Sequence, residues 1–545
     1  MPSADGVTPE GHYDTTVLIV GGGFSGIATL YRCRKLGLNA KILEKGDNFG
    51  GVWHWNRYPG ARVDSEWPMY QLNIPEAYDT WTFRERFPDH YELREYIAHL
   101  DKTLDLRKDT IFGAEVVDAA FDTTRTRWSV LTASGLRLSA KYLVLATGLL
   151  HKAYVPNFPG FSDYRGRVVH STSWPEDLDC KGKKIGVVGS GATAVQVVQE
   201  LAKATADGGS LTVMMKRPST CVPLQQQQLS IQEQNKWKGW FETLFDAGRK
   251  SFTGFPLANT GKNACDVTKE ELDARLQMLW QRGAFNFLLG GYRDTSYNPK
   301  SNRAVYDFWA RKVRSRISDP VKRDIMAPLE PLYPIGGKRP PLEMDYYECL
   351  DMGHVEIVSL LSNPIEKFVE DGVVLQDGTH RQLDVVALAT GFDSYTGSLC
   401  QMGLKDKHGT ELKDIWANGV STYLGICMNG FPNAFIIYSP QAPTAFSNGP
   451  TILECQADLV VDTIARLERE EAKSIEATAS AAEEWGRETE KTLQGSLTAN
   501  TDSWWNGGNI PGKKKQVLVY NAGIASYESI CQKKLGTWEG FDICK

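Results

Sequence analysis

The chain has 545 residues, more than one hydrophobic core usually supports, so two or three domains are expected. Its 42% hydrophobic and 23% charged residues are ordinary for a globular protein. A formal net charge of −5 shows no excess of positive charge of the kind that binds nucleic acid. No run approaches the ~18 apolar residues of a membrane span, and the polar residues 1–16 lack the apolar segment of a signal peptide. The ten cysteines have no CxxC or metal-ligand spacing. We therefore expect a cytoplasmic protein with reduced thiols and no bound metal, and with neither a membrane nor a nucleic acid as partner.

The first predicted element is a strand at residues 17–20, which runs directly into a glycine-rich turn and then a helix. Gly21, Gly23 and Gly26 let the backbone approach a pyrophosphate, and the helix N-terminus adds unpaired N–H donors. Glu44 ends the next strand, 18 residues past Gly26, where an acidic side chain accepts hydrogen bonds from an unphosphorylated ribose. The turn therefore predicts a site for FAD or NAD, with Glu44 as a solvated strand end as the alternative.

A second glycine turn follows the strand at residues 185–188, and it begins 168 residues after the first turn. Gly189 and Gly191 stand in the same strand–turn–helix context. The next strand ends in Lys216 and Arg217, and a basic pair at this place attracts the 2′-phosphate of NADP, unless it is only a solvated strand end. Two such sites predict a chain that holds two dinucleotides and passes electrons between them. No cysteine pair follows the first turn, which argues against a disulfide reductase.

The order of strand and helix signals predicts an α/β fold with two Rossmann-like dinucleotide-binding domains, for FAD and NADP. Amphipathic segments with few strand signals indicate a helical insertion in the NADP domain, and one long charged helix with a solvated face is expected near the C-terminus. The expected divisions are residues 1–148 for the first part of the FAD domain, 149–182 for a linker, 183–388 for the NADP domain and 389–545 for the second part of the FAD domain. Within them, the helical insertion is expected at about 225–330 and the charged helix at about 451–493.

The linker contains the pattern Tyr164-x-Gly166-x-x-x-His170-x-x-x-Trp174-Pro175. This pattern resembles the fingerprint of the Baeyer–Villiger monooxygenases, except that the family has Phe where this chain has Tyr164. Further stretches similar to family motifs follow in the family's order. They lie at residues 50–64, 338–340, 384–393 and 504–513.

The resemblance implies a reaction in which reduced flavin captures oxygen and the resulting C4a-peroxyflavin anion attacks a ketone. A fixed positive charge stabilises such an anion, and arginine is suited to this role because it stays protonated in proteins. Arg339 matches the position of the family's catalytic arginine, and Asp64 matches the carboxylate that orients it. Without the resemblance, Arg339 could equally be a surface cation in the loop at residues 336–341.

The resemblance also implies which residues bind the cofactors. Lys338 is expected to pair with the 2′-phosphate together with Lys216, which stands where the family usually has arginine. Which of Lys216 and Arg217 makes the main contact stays open, because the family has Thr where this chain has Arg217. The C-terminal segment around Trp504 is expected to fold over NADP, and the loop at residues 443–449 is expected to shape the substrate pocket. His170 and Trp174 are interpreted as packing residues of the linker rather than as catalytic groups. The expected cofactor-binding residues are Gly21, Gly23, Phe24, Ser25, Gly26, Glu44, Lys45, Gly51, Val52, Trp53, Trp55, Tyr58, Arg62, Asp64, Tyr70, Val116, Gly189, Ser190, Gly191, Ala192, Thr193, Ala194, Gln196, Lys216, Arg217, Lys338, Arg339, Gly449 and Trp504.

The expected function is that of a monomeric, FAD-dependent Baeyer–Villiger monooxygenase that uses NADPH and O2 to convert a small ketone to an ester or lactone. Such an enzyme can also oxidise sulfides. One alternative is a flavin monooxygenase that oxygenates nitrogen or sulfur, which shares both glycine turns but lacks the linker pattern and the Lys338-Arg339 stretch. The other is a non-catalytic flavin-binding sensor of NADPH, which needs no arginine beside the flavin.

Overall fold

The computed structural model describes residues 12–444 and 446–545, and its strands form two large sheets that carry the two glycine turns. Residues 1–11, part of the polar N-terminus, and Ala445, within the loop at 443–449, lie outside the described residues. The strands are β1 His12–Val20, β2 Ala40–Leu43, β3 Thr110–Ile111, β4 Val116–Asp122, β5 Arg127–Thr132, β6 Arg137–Leu145, β7 Arg167–His170, β8 Lys184–Val188, β9 Ser210–Met215, β10 Val222–Pro223, β11 Leu342–Glu343, β12 Val355–Ser359, β13 Ile365–Val369, β14 Gly372–Leu375, β15 His380–Gln382, β16 Val385–Leu388, β17 Ala434–Ile436, β18 Ser474–Ala477 and β19 Phe541–Cys544.

The first sheet has the strand order β3-β2-β1-β6-β5-β4, with β17 paired to the end of β6. Its pairs β1–β2, β1–β6 and β6–β17 are parallel, whereas β4, β5 and β6 pair antiparallel. Val17, Leu18 and Ile19 are fully buried, as expected for a parallel strand covered on both faces. Because β17 comes from far along the chain, the C-terminal part of the protein completes the sheet that its N-terminal part begins.

The second sheet has the order β12-β9-β8-β16-β7, and all its strand pairs are parallel. Its edge strand β7 lies inside the stretch that the sequence predicts to be a linker. The register of β7 with β16 places His170 beside Leu388. A four-residue edge strand with exposed Arg167 and Val168 has too little hydrophobic pattern to be recognised from the sequence.

The helices pack on both sheets and form the expected insertion, which lies between β10 and β11. The amphipathic segments of the insertion, at residues 231–245 and 270–282, fall in helices, and the first of them is divided in two at residues 239–240. The helices are α1 Phe24–Lys35, α2 Val52–Trp55, α3 Pro75–Tyr78, α4 His90–Leu104, α5 Ala192–Ala204, α6 Ile231–Lys238, α7 Phe241–Arg249, α8 Lys269–Arg282, α9 Asn286–Leu289, α10 Pro299–Arg314, α11 Pro320–Met326, α12 Tyr346–Asp351, α13 Gly397–Cys400, α14 Leu412–Ile415, α15 Gly449–Arg469, α16 Ala479–Leu493 and α17 Ile524–Thr537.

The prediction of one charged helix over residues 451–493 is wrong. The structure has two helices there, α15 and α16, separated by the strand β18, which pairs antiparallel with β19. Helix α15 is largely buried, because it packs against α1 and α17. The charged residues near its end suggested a solvated helix, but pairing of β18 with the C-terminal strand depends on contacts that local sequence does not encode.

The largest hydrophobic cluster joins the two sheets and the insertion, and includes Ile19 of β1, Val187 of β8 and Phe287 of α9. The two glycine turns are therefore held in one packed body. Within the described ranges, no helix has both the length and the apolar character needed to cross a membrane. Those ranges also contain no group of His, Cys, Asp and Glu arranged to hold a metal ion.

Candidate active site

A cavity of about 400 Å³ opens where β1 and β2 of the first sheet end. Its size lies within the range of cofactor pockets in proteins. Thirteen of the expected cofactor-binding residues line it: Gly21, Gly23, Phe24, Ser25, Glu44, Lys45, Gly51, Val52, Trp53, Trp55, Tyr70, Val116 and Gly449.

The first glycine turn is tight and leaves no room for side chains at two positions. Gly21 has a φ of +113°, and a Cβ there would collide with the carbonyl oxygen of Ala146. A Cβ on Gly26 would collide with the carbonyl oxygen of Gly21. Gly26 therefore closes the turn against the start of α1 and does not line the cavity. This packing leaves the N-terminal end of α1 facing the cavity, where its dipole favours a phosphate.

The carboxylate of Glu44 lies against the glycine turn and is only 5% exposed. It accepts hydrogen bonds from the backbone N–H groups of Gly22, at 2.6 Å, and Gly46, at 2.7 Å. Burial raises the pKa of Glu44, and these two N–H donors partly oppose that shift. A carboxylate has about four acceptor positions, so Glu44 can still accept hydroxyl groups from a ribose. The cavity and its acidic end therefore fit an adenine dinucleotide with an unphosphorylated ribose.

Aromatic side chains form one wall of the cavity. Trp53 donates a hydrogen bond from Nε1 to the hydroxyl of Tyr70 at 3.0 Å, and Phe24 packs against the same Tyr70 ring at 5.6 Å between centroids. Tyr438, which follows β17 in the left-handed region with a φ of +58°, also lines the cavity. The sequence analysis missed Tyr438, because no motif marks it and only the pairing of β17 with β6 brings it here.

Arg339 and Asp64 form a bidentate ion pair next to this wall. Nε of Arg339 donates to Oδ2 of Asp64 at 2.7 Å, and Nη2 donates to Oδ1 at 2.9 Å. The guanidinium carbon lies 4.6 Å from the ring centroid of Phe285, which comes from the helical insertion. Burial lowers the pKa of Arg339, but Asp64, with smaller effects from Tyr438 and Tyr70, raises it above its ordinary value. The guanidinium is therefore a fixed positive charge at the border of the cavity.

The second glycine turn faces an open part of the molecule. Gly189 has a φ of +139°, and a Cβ there would collide with the carbonyl oxygen of Ala389. Gly191 and Ala192 are exposed, and a Cβ on Gly191 would meet no atom within 4 Å. The hydroxyl of Ser190 donates to the carbonyl oxygen of Arg217 at 2.6 Å, which ties the turn to the end of β9. The turn and the N-terminus of α5 are thus accessible to a second nucleotide.

Two basic side chains converge beside this second turn. Nζ of Lys338 lies 4.9 Å from the ring centroid of Tyr333, whose hydroxyl donates to the carbonyl oxygen of Pro218 at 2.9 Å. Pro218 follows Arg217 directly. Burial lowers the pKa of Lys338, and the charge of Arg217 lowers it further, so the two cations lie within electrostatic reach of each other. Lys216 is exposed at the end of β9 and has no contact with them among the described interactions.

Three expected cofactor-binding residues contact each other instead of lining the cavity. The hydroxyl of Tyr58 donates to Oε1 of Gln196 at 2.8 Å, and Nε2 of Gln196 donates to the carbonyl oxygen of Arg62 at 2.9 Å. The guanidinium of Arg62 pairs with Glu85 at 2.6 Å. These bonds join the loop that carries Asp64 to helix α5 of the second sheet, so they fix how the two nucleotide units meet.

The residues of the linker pattern, 164–175, pack against the second sheet. His170 ends β7, and its ring meets the ring of Phe392 edge-on at 5.8 Å between centroids. Burial lowers the pKa of His170, partly opposed by the backbone of Gly391. The hydroxyl of Tyr164 donates to the carbonyl oxygen of Leu383 at 3.0 Å, and Trp174 is 9% exposed. This geometry supports the interpretation of His170 and Trp174 as packing residues.

We call residues 497–517 the C-terminal segment, and it lies across both nucleotide units. Trp504 stacks on Tyr395 at 5.8 Å between ring centroids and does not line the cavity. Nζ of Lys513 pairs with Asp393 at 2.6 Å. At its other end, the segment's Leu497 donates its N–H to Ser296 of the helical insertion at 2.8 Å. The segment therefore connects the helical insertion to the loop that follows β16.

The family described as "Flavin-binding monooxygenase-like" matches residues 14–215 of the chain. The FAD-binding monooxygenase acrE from Aspergillus aculeatus is 41% identical over 98% of this chain and 90% of that protein. The cyclopentanone 1,2-monooxygenase from Comamonas sp. is 36% identical over 94% of this chain and 93% of that protein. A phenazine N-monooxygenase, PhzNO1 from Lysobacter antibioticus, is 34% identical over 97% of both.

Solved structures with the same fold extend over nearly the whole chain. The cyclohexanone monooxygenase from Rhodococcus sp. Phi1 bound to NADP+ superposes with a TM-score of 0.93, at 31% identity, over 98% of this chain and 99% of that chain. A structure of OTEMO in complex with FAD and NADP gives a TM-score of 0.92, at 29% identity, over 97% of this chain and 99% of that chain. The expected α/β fold with two dinucleotide-binding units is thereby confirmed.

Proposed function

Because the chain belongs to the flavin-binding Baeyer–Villiger monooxygenases, we propose that it uses NADPH to drive the oxygenation of ketones at the border between its two nucleotide units. It is a flavoprotein monooxygenase that converts ketones to esters or lactones, with FAD and NADP as its cofactors. FAD would lie in the 400 Å³ cavity, with its pyrophosphate at the first glycine turn and its ribose on Glu44.

The observation that supports this proposal most is the Arg339–Asp64 ion pair beside the flavin cavity. Bound FAD would supply the redox chemistry, accepting a hydride from the nicotinamide and passing electrons to oxygen. Arg339 would then stabilise the negative charge that develops on a ketone oxygen when its carbon is attacked. Asp64 fixes the plane of the guanidinium and so removes the cost of ordering it during the reaction.

NADPH would bind at the second glycine turn. The pyrophosphate would lie at Gly189 and Gly191, and the 2′-phosphate would meet Arg217 and Lys338, since the charge of Arg217 acts on Lys338. The family resemblance paired Lys338 with Lys216 and left open whether Lys216 or Arg217 makes the main contact with the 2′-phosphate. Lys216 and Arg217 are both exposed after the end of β9, and of the two only Arg217 has a charge that acts on Lys338.

We also propose a division of the chain that follows the two sheets. Residues 1–148 and 389–545 would form the FAD domain, since β17 pairs with β6 across this division. Residues 183–388 would form the NADP domain, to which strand β7 of the intervening stretch also adds. Protease cleavage at exposed sites near the two boundaries should release fragments of these sizes if the division is right.

The proposed activity can be tested with the FAD-loaded enzyme and a panel of linear, cyclic, aromatic and steroid ketones. We expect NADPH-dependent oxygen uptake with ester or lactone formation, measured by gas chromatography and mass spectrometry. The matched variant Arg339→Ala should reduce its flavin with NADPH but form no ester. Oxygen uptake without an oxygenated ketone product across the panel would contradict the proposal.

A second candidate function is oxygenation of an aromatic nitrogen, and the similarity to a phenazine N-monooxygenase favours keeping it. Transfer of oxygen to nitrogen develops no negative charge on a carbonyl oxygen, so it depends less on Arg339. Phenazine offered to wild type and to Arg339→Ala separates the two functions. Equal N-oxide formation by both enzymes, with no ester from any ketone, would favour this second function.

A further inference from the structure

Gln196 connects helix α5 of the second nucleotide unit to the loop at residues 58–64 of the first. Its Oε1 accepts a hydrogen bond from the hydroxyl of Tyr58 at 2.8 Å, and its Nε2 donates to the carbonyl oxygen of Arg62 at 2.9 Å. Gly60, between these two partners, has a φ of +77°, and a Cβ there would lie 2.8 Å from the backbone carbonyl oxygen of Gln196. The loop therefore lies directly on α5, and one side chain holds it at two points.

The same loop carries the carboxylate of the ion pair. On its other side it is bonded to the first unit, since the backbone N–H of Val63 donates to the carbonyl oxygen of Pro88 at 3.1 Å. Asp64 follows directly, and its two oxygens accept hydrogen bonds from Nε and Nη2 of Arg339. Because Asp64 stands only two residues after the carbonyl that Gln196 holds, a shift of the loop on α5 would displace the carboxylate as well.

We propose that Gln196 is a positioning residue for the Asp64–Arg339 ion pair. By fixing the loop at residues 58–64 to α5, it sets where the guanidinium lies relative to the second nucleotide site, whose glycine turn begins the same helix. Gln196 does not line the flavin cavity, so its loss should change ester formation and leave FAD binding intact. The inference rests on the proposed catalytic role of Arg339.

The test is a double-mutant cycle of Gln196→Met and Asp64→Asn in the FAD-loaded enzyme. Methionine is close to glutamine in size and removes both hydrogen bonds. Gln196→Met should lower the rate of ester formation about tenfold, since misplacing a catalytic group by about 1 Å can cost about a hundredfold. In the Asp64→Asn background the same change should cost less than about twofold, because the guanidinium has already lost its fixed plane.

Ester formed per NADPH oxidised provides a second measurement in the same cycle. This ratio should fall in Gln196→Met, because the flavin is still reduced and still consumes oxygen while the ketone is attacked less often. An unchanged rate and ratio in Gln196→Met would overturn the inference. A further tenfold loss of rate in the Asp64→Asn background would also overturn it, since Gln196 would then act by a route that does not pass through Asp64.

Gln199→Met is the matched control on the same helix. The side chain of Gln199 donates to the carbonyl oxygen of Val195 at 2.9 Å and accepts from the N–H of Met344 at 2.9 Å, and both partners belong to the second unit. Both variants should melt below the wild-type temperature and keep the flavin spectrum, but only Gln196→Met should lose ester formation. Equal losses of ester formation in the two variants would assign the effect to the stability of α5 and overturn the inference.

Tyr58→Phe tests the same contact from the other side and leaves α5 unchanged, so it remains informative if Gln196→Met does not fold. It removes one of the two hydrogen bonds and should lower ester formation by about two- to tenfold. Combined with Gln196→Met, it should cause no further loss, because the bond is already absent. Wild-type ester formation in Tyr58→Phe would overturn the inference.

The same measurements separate this inference from the proposed function. If Arg339→Ala forms ester at the wild-type rate, the proposed role of Arg339 is wrong. If Arg339→Ala and Asp64→Asn lose ester formation while Gln196→Met and Tyr58→Phe do not, the role of the ion pair stands and only the role of Gln196 is overturned.

Discussion

Asp64 holds Arg339 through two parallel hydrogen bonds, from Nε to Oδ2 at 2.7 Å and from Nη2 to Oδ1 at 2.9 Å, although 275 residues of chain separate them. Asp64 lies in a loop of the first nucleotide unit, and Arg339 follows the helical insertion of the second. The ion pair therefore forms only when the two units are packed together. In its proposed catalytic role, Arg339 would link the oxygenation step to the correct assembly of both nucleotide sites.

The first prediction concerns the catalytic cation. Arg339→Ala should retain FAD and accept hydride from NADPH, but ester formation should fall by about a hundredfold or more, because one preorganised charge is lost. Arg339→Lys should also be impaired, since an ammonium group cannot form the bidentate pair. Stopped-flow absorbance of the flavin together with product analysis measures both steps. A near-normal ester yield from Arg339→Ala would assign the catalytic charge to another residue.

Asp64→Asn separates orientation from charge at the same site. Asparagine keeps the shape of the carboxylate but offers one acceptor oxygen, so the guanidinium loses its fixed plane and its counter-charge. Ester formation should drop by about tenfold or more while FAD stays bound, as judged by the flavin spectrum of the purified protein. The interpretation of Asp64 as a positioning residue fails if the variant forms ester at the wild-type rate.

The second prediction concerns cofactor preference. Arg217→Ala and Lys338→Ala should each lower the NADPH-to-NADH ratio of kcat/KM by about tenfold or more, since a charge-assisted hydrogen bond contributes roughly 1.5–3 kcal/mol. Lys216→Ala should lower it by less, about twofold, because the charge of Arg217, and not that of Lys216, acts on Lys338. Lys183→Ala, at the opposite end of β8, serves as the control. A larger effect at Lys216 than at Arg217 would reverse the assignment.

The third prediction is a pH dependence of nucleotide binding. Burial and the charge of Arg217 lower the pKa of Lys338, so this lysine loses its proton at a lower pH than an ordinary lysine does. A bound 2′-phosphate favours the protonated form, so affinity for adenosine 2′,5′-bisphosphate should fall as the pH rises from 7 towards 10. Lys338→Arg should remove this decline, because arginine does not titrate there. The neighbouring Tyr333 has its pKa raised to about 12, above this range. An equal decline in Lys338→Arg would exclude Lys338 as the titrating group.

The fourth prediction uses two glycines that differ in the space around them. Gly26→Ala should reduce folding yield and FAD content, because its Cβ would collide with the carbonyl oxygen of Gly21. Gly191→Ala should fold and bind FAD normally, since no atom lies within 4 Å of its Cβ. It should nevertheless bind NADP+ much more weakly, because the methyl group would stand where the pyrophosphate approaches the turn. Normal NADP+ affinity in this variant would argue against a pyrophosphate at the second turn.

The fifth prediction concerns His170 as a packing residue. Burial lowers its pKa in the folded protein, so the unfolded chain binds a proton at a higher pH than the folded one does. The stability contributed by neutral His170 is present above its unfolded pKa, near 6.5, and is lost as the pH falls through the lowered pKa of the folded state. Melting temperatures between pH 7 and 5 should therefore fall less for His170→Asn than for wild type. Parallel declines for the two proteins would show that His170 does not contribute.

Local sequence patterns were sufficient for much of the fold. Each glycine turn stands between a buried strand and a helix. Because the strand, the turn and the start of the helix lie within about 20 residues of chain, the sequence was sufficient to predict the turn. The helical insertion was predicted for the same reason, from amphipathic spacing. The region at 451–493 was predicted wrongly, because strand β18 depends on pairing with β19 near the end of the chain.

The sequence by itself determined which reactive groups the chain carries. They are two glycine turns, the acidic Glu44 after the first turn, two basic residues after β9, and Arg339 with Asp64 through a family resemblance. Only the tertiary structure decided which of these groups meet. Tyr438 and Phe285 reach the site because β17 and the insertion pack there, whereas Tyr58 and Gln196 join the two units instead. The charge of Arg217 rather than that of Lys216 acts on Lys338 for the same reason. Residue type fixes what a side chain can do, but contacts between distant segments arise from burial of the whole chain, which no local pattern specifies.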